Sequence, residues 1–364
     1  MTTLKWSDYY YKQVGISDFP SERVRVVIDD LSIDIDTPFA FEDRHDELPI
    51  EQFIGSVAKV YSLTTDTCRP QLAYHAFVAS HRPNYMDGYF PITQSLSKEI
   101  HRQFHKTVSK VMLNTGFDVR LLDEQYSYIR KVPALAYLVA GHIVEMFFYR
   151  QDILDALLKG TIHIWLYTNV QAYKAAGGVA GGCYNSQHDC IQLVVSRLFE
   201  GFNQPTAGVS PFLHEFGHLL DYFDAGTLKA ADKSSGWLPG MRPSDGAIYT
   251  PEAREAFIAG KRLEMDRYDR QVVKPDGLDP LPIGHPYVFQ NNSEFVAGYL
   301  EMFFRNPHYF ATQNPSLYSS FQLLFKQDPR DYWQADFPFY VEQNRAFYKS
   351  GQRPHASGLK VDID

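Results

Sequence analysis

Pro211-Phe-Leu-His214-Glu215-Phe-Gly-His218-Leu-Leu-Asp221 is the stretch on which the reading of this chain turns. It contains His-Glu-x-x-His, a string with a mechanical meaning when it lies on a helix. Ser210 is placed to cap such a helix, Pro211 suits its first position, and Asp224-Ala-Gly226 can end it. His214 and His218 then stand one turn apart on one face, where two imidazoles can grip a single zinc ion. Glu215 is rotated by one residue, which suits a base acting on zinc-bound water rather than a ligand. Asp221 returns to the ligand face, where a carboxylate can accept the outer N–H of a histidine and fix its tautomer. The competing reading is a buried helix with satisfied histidines.

A catalytic zinc site needs a third protein ligand and an open fourth position. Pro286-Tyr287-Val-Phe-Gln-Asn-Asn-Ser-Glu294-Phe-Val-Ala-Gly-Tyr-Leu-Glu301-Met-Phe-Phe304 is compatible with a helix that carries Glu294 and Glu301 on one face. Two acids on an otherwise apolar helix are costly to bury unless they meet a cation or a hydrogen-bond network. Zinc supplies that cation for Glu294, and Glu301 can orient neighbouring groups; a solvated pair of acids is the alternative.

His-Glu-Phe-Gly-His-Leu-Leu-Asp, followed by Asn291-x-x-Glu294-Phe-x-Ala297 with Glu301 and Phe303-Phe304, resembles the zinc metallopeptidases related to Mlc titration factor A. More distantly it is similar to the catalytic domain of anthrax lethal factor. Asn314 to Pro329 also resembles the end of the titration-factor domain. The resemblance, over roughly residues 130 to 345, implies one zinc per chain held by His214, His218 and Glu294. It implies Glu215 as general base and Tyr287 as the group that stabilises the oxyanion. The fold it implies is α+β and zincin-like, with a small twisted sheet on the His-Glu-x-x-His helix and the Glu294 helix.

Some features depart from that pattern. Glu294 follows His218 by 76 positions, and the extra segment, about 225–285, includes a helix from Pro251 to about Gln271 and a polar loop, Lys229 to Asp245. A lid, a specificity wall and an inhibitory plug are all open for it. Gly298 stands where lethal-factor-type enzymes have an acid. The expected organisation is a mainly helical accessory region over 1–125, the metallopeptidase domain over 126–350 and a flexible tail over 351–364.

Composition narrows the partners. The 35 basic and 43 acidic residues leave −8, with no polybasic stretch, so no nucleic-acid footprint is expected. The most apolar run, Val132 to Phe148, is broken by Pro133, His142 and Glu145 and reads as a buried helix rather than a membrane span. Three cysteines and the absence of an apolar leader point to the cytoplasm. Thr161-Ile-His-Ile-Trp-Leu-Tyr-Thr168 alternates as a strand, and a second strand is expected at Ile191–Val195. The glycine-rich loop between them, Gly177 to Gly182, reads either as a peptide-binding edge or as an ordinary connection.

His101 and His105, with Arg102 between them, read as a solvated helix face. Cys183 and Cys190 read as small buried thiols, and His285 as a loop residue. The chemistry points to a zinc peptidase acting on a peptide or protein. Two other classes stay open: a regulatory protein that binds a partner such as a transcriptional repressor, and a zinc hydrolase of small-molecule amides.

Overall fold

A computed structural model of the chain describes residues 25–28, 31–34, most of 100–122, and 133–360 apart from 161, 168, 180, 199–208, 225–228, 231–233, 239–249 and 334. Most of the helical region expected over 1–125, with His101, Arg102 and His105, and most of the Lys229–Asp245 loop lie outside the described residues. The chain divides into two units, residues 1–148 and 149–364.

In the first unit, β1 (Arg25–Ile28) and β2 (Leu31–Asp34) form an antiparallel pair, and β3 covers Phe117–Leu121. The described part of the stretch before β3 is helical and buries Phe104, Val108 and Val111, the four-then-three spacing of one helix face. Helix α1 (Pro133–Phe147) starts at the proline, as its fixed φ favours, and its second half is buried. Among the described residues no helix is long and apolar enough to cross a membrane.

The second unit opens with α2 (Gln151–Lys159), closed at Gly160, whose N–H bonds Ala156 O. Strand β4 (Ile162–Tyr167) buries Ile162, Ile164 and Leu166, the alternation its sequence prescribes. After α3 (Val170–Ala175) come β5 (Gly182–Asn185) and β6 (Cys190–Val194). Within this unit β6 is central, parallel to β4 and antiparallel to β5. Strand β5 was not anticipated. It takes up the end of the glycine loop, where Gly181 has φ of 106°, a conformation a side chain would strain.

The apolar stripes of the helices set their packing. Helix α4 (Pro211–Tyr222) buries Phe212, Leu213, Phe216, Leu219 and Leu220 and lies against β5 and β6. It crosses α6 (Asn292–Arg305) at Gly217, where an added Cβ would come 2.6 Å from the Ala297 Cα. The absence of a side chain there allows the His-Glu-x-x-His helix and the Glu294 helix to touch.

Helix α5 (Pro251–Val273) belongs to the segment for which a lid or plug was open, and it is a core element. Ala253, Phe257, Gly260, Glu264, Tyr268 and Gln271 form one buried stripe along it. After α7 (Pro307–Gln313) comes α8 (Pro315–Phe325), and Gly260 meets it so closely that a Cβ would sit 2.3 Å from that of Leu317. Phe257 packs on Phe295 of α6 and Phe321 of α8. The fully buried Glu264 carboxylate accepts from Ile283 N at 2.8 Å, Arg267 Nη1 at 2.7 Å, Asn314 Nδ2 at 3.3 Å and the Tyr299 hydroxyl.

Glu264→Ala leaves that guanidinium, phenol and amide without their shared acceptor. We expect a loss of about 3–5 kcal/mol, the range for breaking a buried charge pair from one side. Urea unfolding checks this; a change within about 0.5 kcal/mol, the scatter of surface substitutions, would refute it.

Helix α9 (Pro338–Lys349) follows, and the chain then returns to the start of α6. In the stretch expected to be a tail, Leu359 is buried, Gly358 N donates to Phe289 O at 3.0 Å, and Lys360 N donates to Asn292 Oδ1 at 3.0 Å.

Candidate metal centre

Helix α4 starts where its proline predicts, after Ser210. Ser210 makes no side-chain cap bond; its amide instead donates to the buried Glu301 carboxylate of α6. That contact ties the start of one helix to the middle of the other. His214 and His218 then project from one face with ring centroids 5.0 Å apart and planes at 84°.

Helix α6 brings the third group. The Asn291 side chain caps it by accepting from Glu294 N at 2.9 Å, which places Glu294 in the first turn. Glu294 Oε2 lies 3.0 Å from His214 Nε2 and 3.4 Å from His218 Nε2. Its Oε1 accepts from the Tyr287 hydroxyl at 2.9 Å. Tyr287 stands on the 3-10 turn Pro286–Phe289, where His285 Nδ1 accepts from Tyr287 N at 3.2 Å, so the loop histidine acts as a cap.

The outer nitrogens of the two histidines have different partners. His214 Nδ1 is 3.6 Å from Glu301 Oε2, and His218 Nδ1 is 2.7 Å from Ser293 Oγ. Asp221, expected beside a ligand histidine, is turned to the loop after α4. Its buried carboxylate accepts from Ser235 N at 3.1 Å, Ser235 Oγ at 2.9 Å, Gly236 N at 2.6 Å, Trp237 N at 3.2 Å and the Ser234 hydroxyl. Helix α4 itself ends at Tyr222, two residues before the expected stop.

Glu215 lies beside this cluster, within reach of the charges of His214, His218 and Glu294, and is anchored to the edge strand. Its Oε2 accepts from Tyr184 N on β5 at 2.7 Å. Gly181 O accepts from Val194 N, so in the alternating antiparallel pattern Gly182 and Tyr184 direct their backbone groups away from β6. The Tyr184 amide reaches Glu215 on that outer side, its ring packs on Tyr222 of α4, and its hydroxyl donates to Asp189 at 2.7 Å.

Charge follows geometry. Burial would lower the His214 pKa, but hydrogen bonds to Glu294 and Glu301 outweigh it and push the value up to about 10. Burial would raise Glu294, yet its bonds to His214 and His218 hold the carboxyl well below the usual carboxylate range. Glu215 is raised, mainly by burial, against the pull of the two imidazoles. Burial, then the Glu294 charge, raises the Tyr287 phenol.

The donor set suits zinc. Ligand atoms about 2.0–2.1 Å from a tetrahedral ion lie about 3.3 Å from one another, and both Glu294-to-histidine separations, 3.0 and 3.4 Å, are close to that. One donor atom from each of His214, His218 and Glu294 falls within 4.8 Å of the others, a group that could hold a metal ion. Their side chains keep 17%, 14% and 14% exposure, so the cluster is open to solvent.

Cys190 is buried and Cys183 half-buried; both are free thiols whose pKa burial raises, Cys190 to about 11. Such thiols are poor nucleophiles and poor metal ligands at neutral pH. Ser293 and the Tyr184 amide carry no sequence signal as partners, since one is a common helix residue and the other a backbone group.

Residues 168–326 match the family model described as glucose-regulated metallo-peptidase M90. The matched span contains His214, Glu215, His218, Tyr287 and Glu294. No curated protein matches the chain.

Proposed function

We propose that this metallopeptidase-like chain is a zinc-dependent peptidase of zincin-like architecture, distantly akin to the lethal-factor catalytic domain. The observation that carries the reading is the convergence of His214 Nε2, His218 Nε2 and Glu294 Oε2 from two helices beside a buried carboxylate, Glu215. His214, His218 and Glu294 would hold the ion, one per chain. Zinc in such a site polarises a carbonyl and lowers the pKa of water to about 7.

The protein groups supply the rest. Water adds to the scissile carbonyl carbon as the Glu215 carboxylate accepts one of its protons. The C–N bond then breaks, and Glu215 returns that proton to the leaving nitrogen. A carboxyl raised by burial serves both steps better than an ordinary glutamate, because its pKa lies nearer neutral pH. Tyr287 is 45% exposed and its hydroxyl rests on Glu294 Oε1, from where it can turn to donate to the oxygen that gains charge. Substrate lies extended along β5, whose outward carbonyls at Gly182 and Tyr184 can accept from peptide amides. The half-buried ligands and the outward-facing carbonyls of β5 favour a peptide over a small amide.

The purified chain, stripped with a chelator and titrated, should take up one zinc and regain cleavage of a mixed peptide library with it. Zinc-loaded protein that cleaves no peptide would overturn the peptidase reading.

A further inference from the structure

We infer that Ser293 is a positioning residue for His218, fixing its tautomer and ring angle by accepting a hydrogen bond from Nδ1–H. The inference rests on the reading of His214, His218 and Glu294 as metal ligands. A neutral imidazole carries one proton. His218 Nε2 faces Glu294 Oε2, so the nitrogen that must keep the proton is Nδ1, and Ser293 Oγ is 2.7 Å from it. Outer partners of this kind orient the ring and raise its donor strength.

Asp221, three residues after His218, has its carboxylate engaged by the 234–237 loop. The duty passes to the opposite helix. There Ser293, Glu294 and Glu301 address His218 Nδ1, both Nε2 atoms and His214 Nδ1 in turn. Helix α6 therefore carries one ligand and both outer partners. The Asn291 cap fixes the register of its first turn, so Ser293 and Glu294 move together or not at all. The partners are unequal: His214 faces a carboxylate and His218 a hydroxyl, so the Ser293 contact orients without adding a charge.

The experiment compares wild type with Ser293→Ala, Ser293→Thr and Ser293→Val. The readouts are zinc affinity by competition with a chromophoric chelator and the hydrogen-bonded His218 Nδ1–H proton by NMR of the zinc form. Ser293→Ala should bind zinc about 10–100-fold more weakly and lose the downfield proton signal. Ser293→Thr should keep both. Ser293→Val, isosteric with threonine, should lose both, which keeps the test valid if the alanine variant folds poorly. Unchanged affinity and an unchanged signal in the alanine and valine variants would overturn the proposal and leave the metal reading standing. Wild type that takes up no zinc would sink both.

Discussion

Glu215→Gln should reduce peptide cleavage about 10²–10⁴-fold, the contribution of a general acid–base group, while zinc uptake stays at one per chain. The change is nearly isosteric. The amide oxygen of glutamine can still accept from Tyr184 N, which lies 2.7 Å from the carboxylate, so the side chain keeps its anchor to β5. Glutamine cannot take a proton from water or hand one to the leaving nitrogen. The three candidate ligands do not include Glu215, so zinc affinity should stay close to wild type. Substrate affinity should change little, so the loss belongs in kcat. Steady-state kinetics with zinc assay of the same samples measures both. Wild-type turnover by a zinc-loaded Glu215→Gln protein would remove Glu215 from the chemistry.

The local part of this site was readable because its signals are local. His-Glu-x-x-His sets two imidazoles one turn apart whatever surrounds them, and Pro211 marks where that turn begins. Glu294 stood out because an acid on a run as apolar as Phe295–Phe304 demands a partner. The rest depends on which helices meet. Asp221 is three residues past His218, yet the loop that follows α4 supplies its donors. Ser293 acquires a partner only because Gly217 and Ala297 let α4 and α6 touch. The segment between the two motifs looked like an addition on spacing alone. Its helix instead carries Gly260 and Glu264, whose partners, Leu317 and Asn314 on one side and Tyr299 on the other, are remote in sequence. The short edge strand β5 carries too little alternation to be seen beside the glycines.

Glu294→Ala should weaken zinc by more than the roughly 10–100-fold that loss of an outer partner costs, because it removes one of three protein ligands. A second consequence appears in the metal-free protein. There Glu294 and Glu301 raise His214 from its ordinary 6.5 to about 10, and the histidines depress Glu294 from 4.5. The raised histidine contributes stability fully below pH 6.5 and loses it as pH climbs through about 10. The depressed carboxylate contributes fully above pH 4.5 and loses it as pH falls below that value. The Glu294–His214 pair therefore stabilises the metal-free fold most between pH 4.5 and 6.5. Chelator-treated Glu294→Ala should show its largest deficit in thermal stability in that window, with the deficit shrinking towards pH 10. An acid merely resting on a solvated face would show neither effect. Unchanged zinc affinity, with a melting difference flat across pH, would return Glu294 to that lesser role. A deficit that follows the predicted pH course together with lost zinc would tie one carboxylate to both the ion and the proton that takes its place.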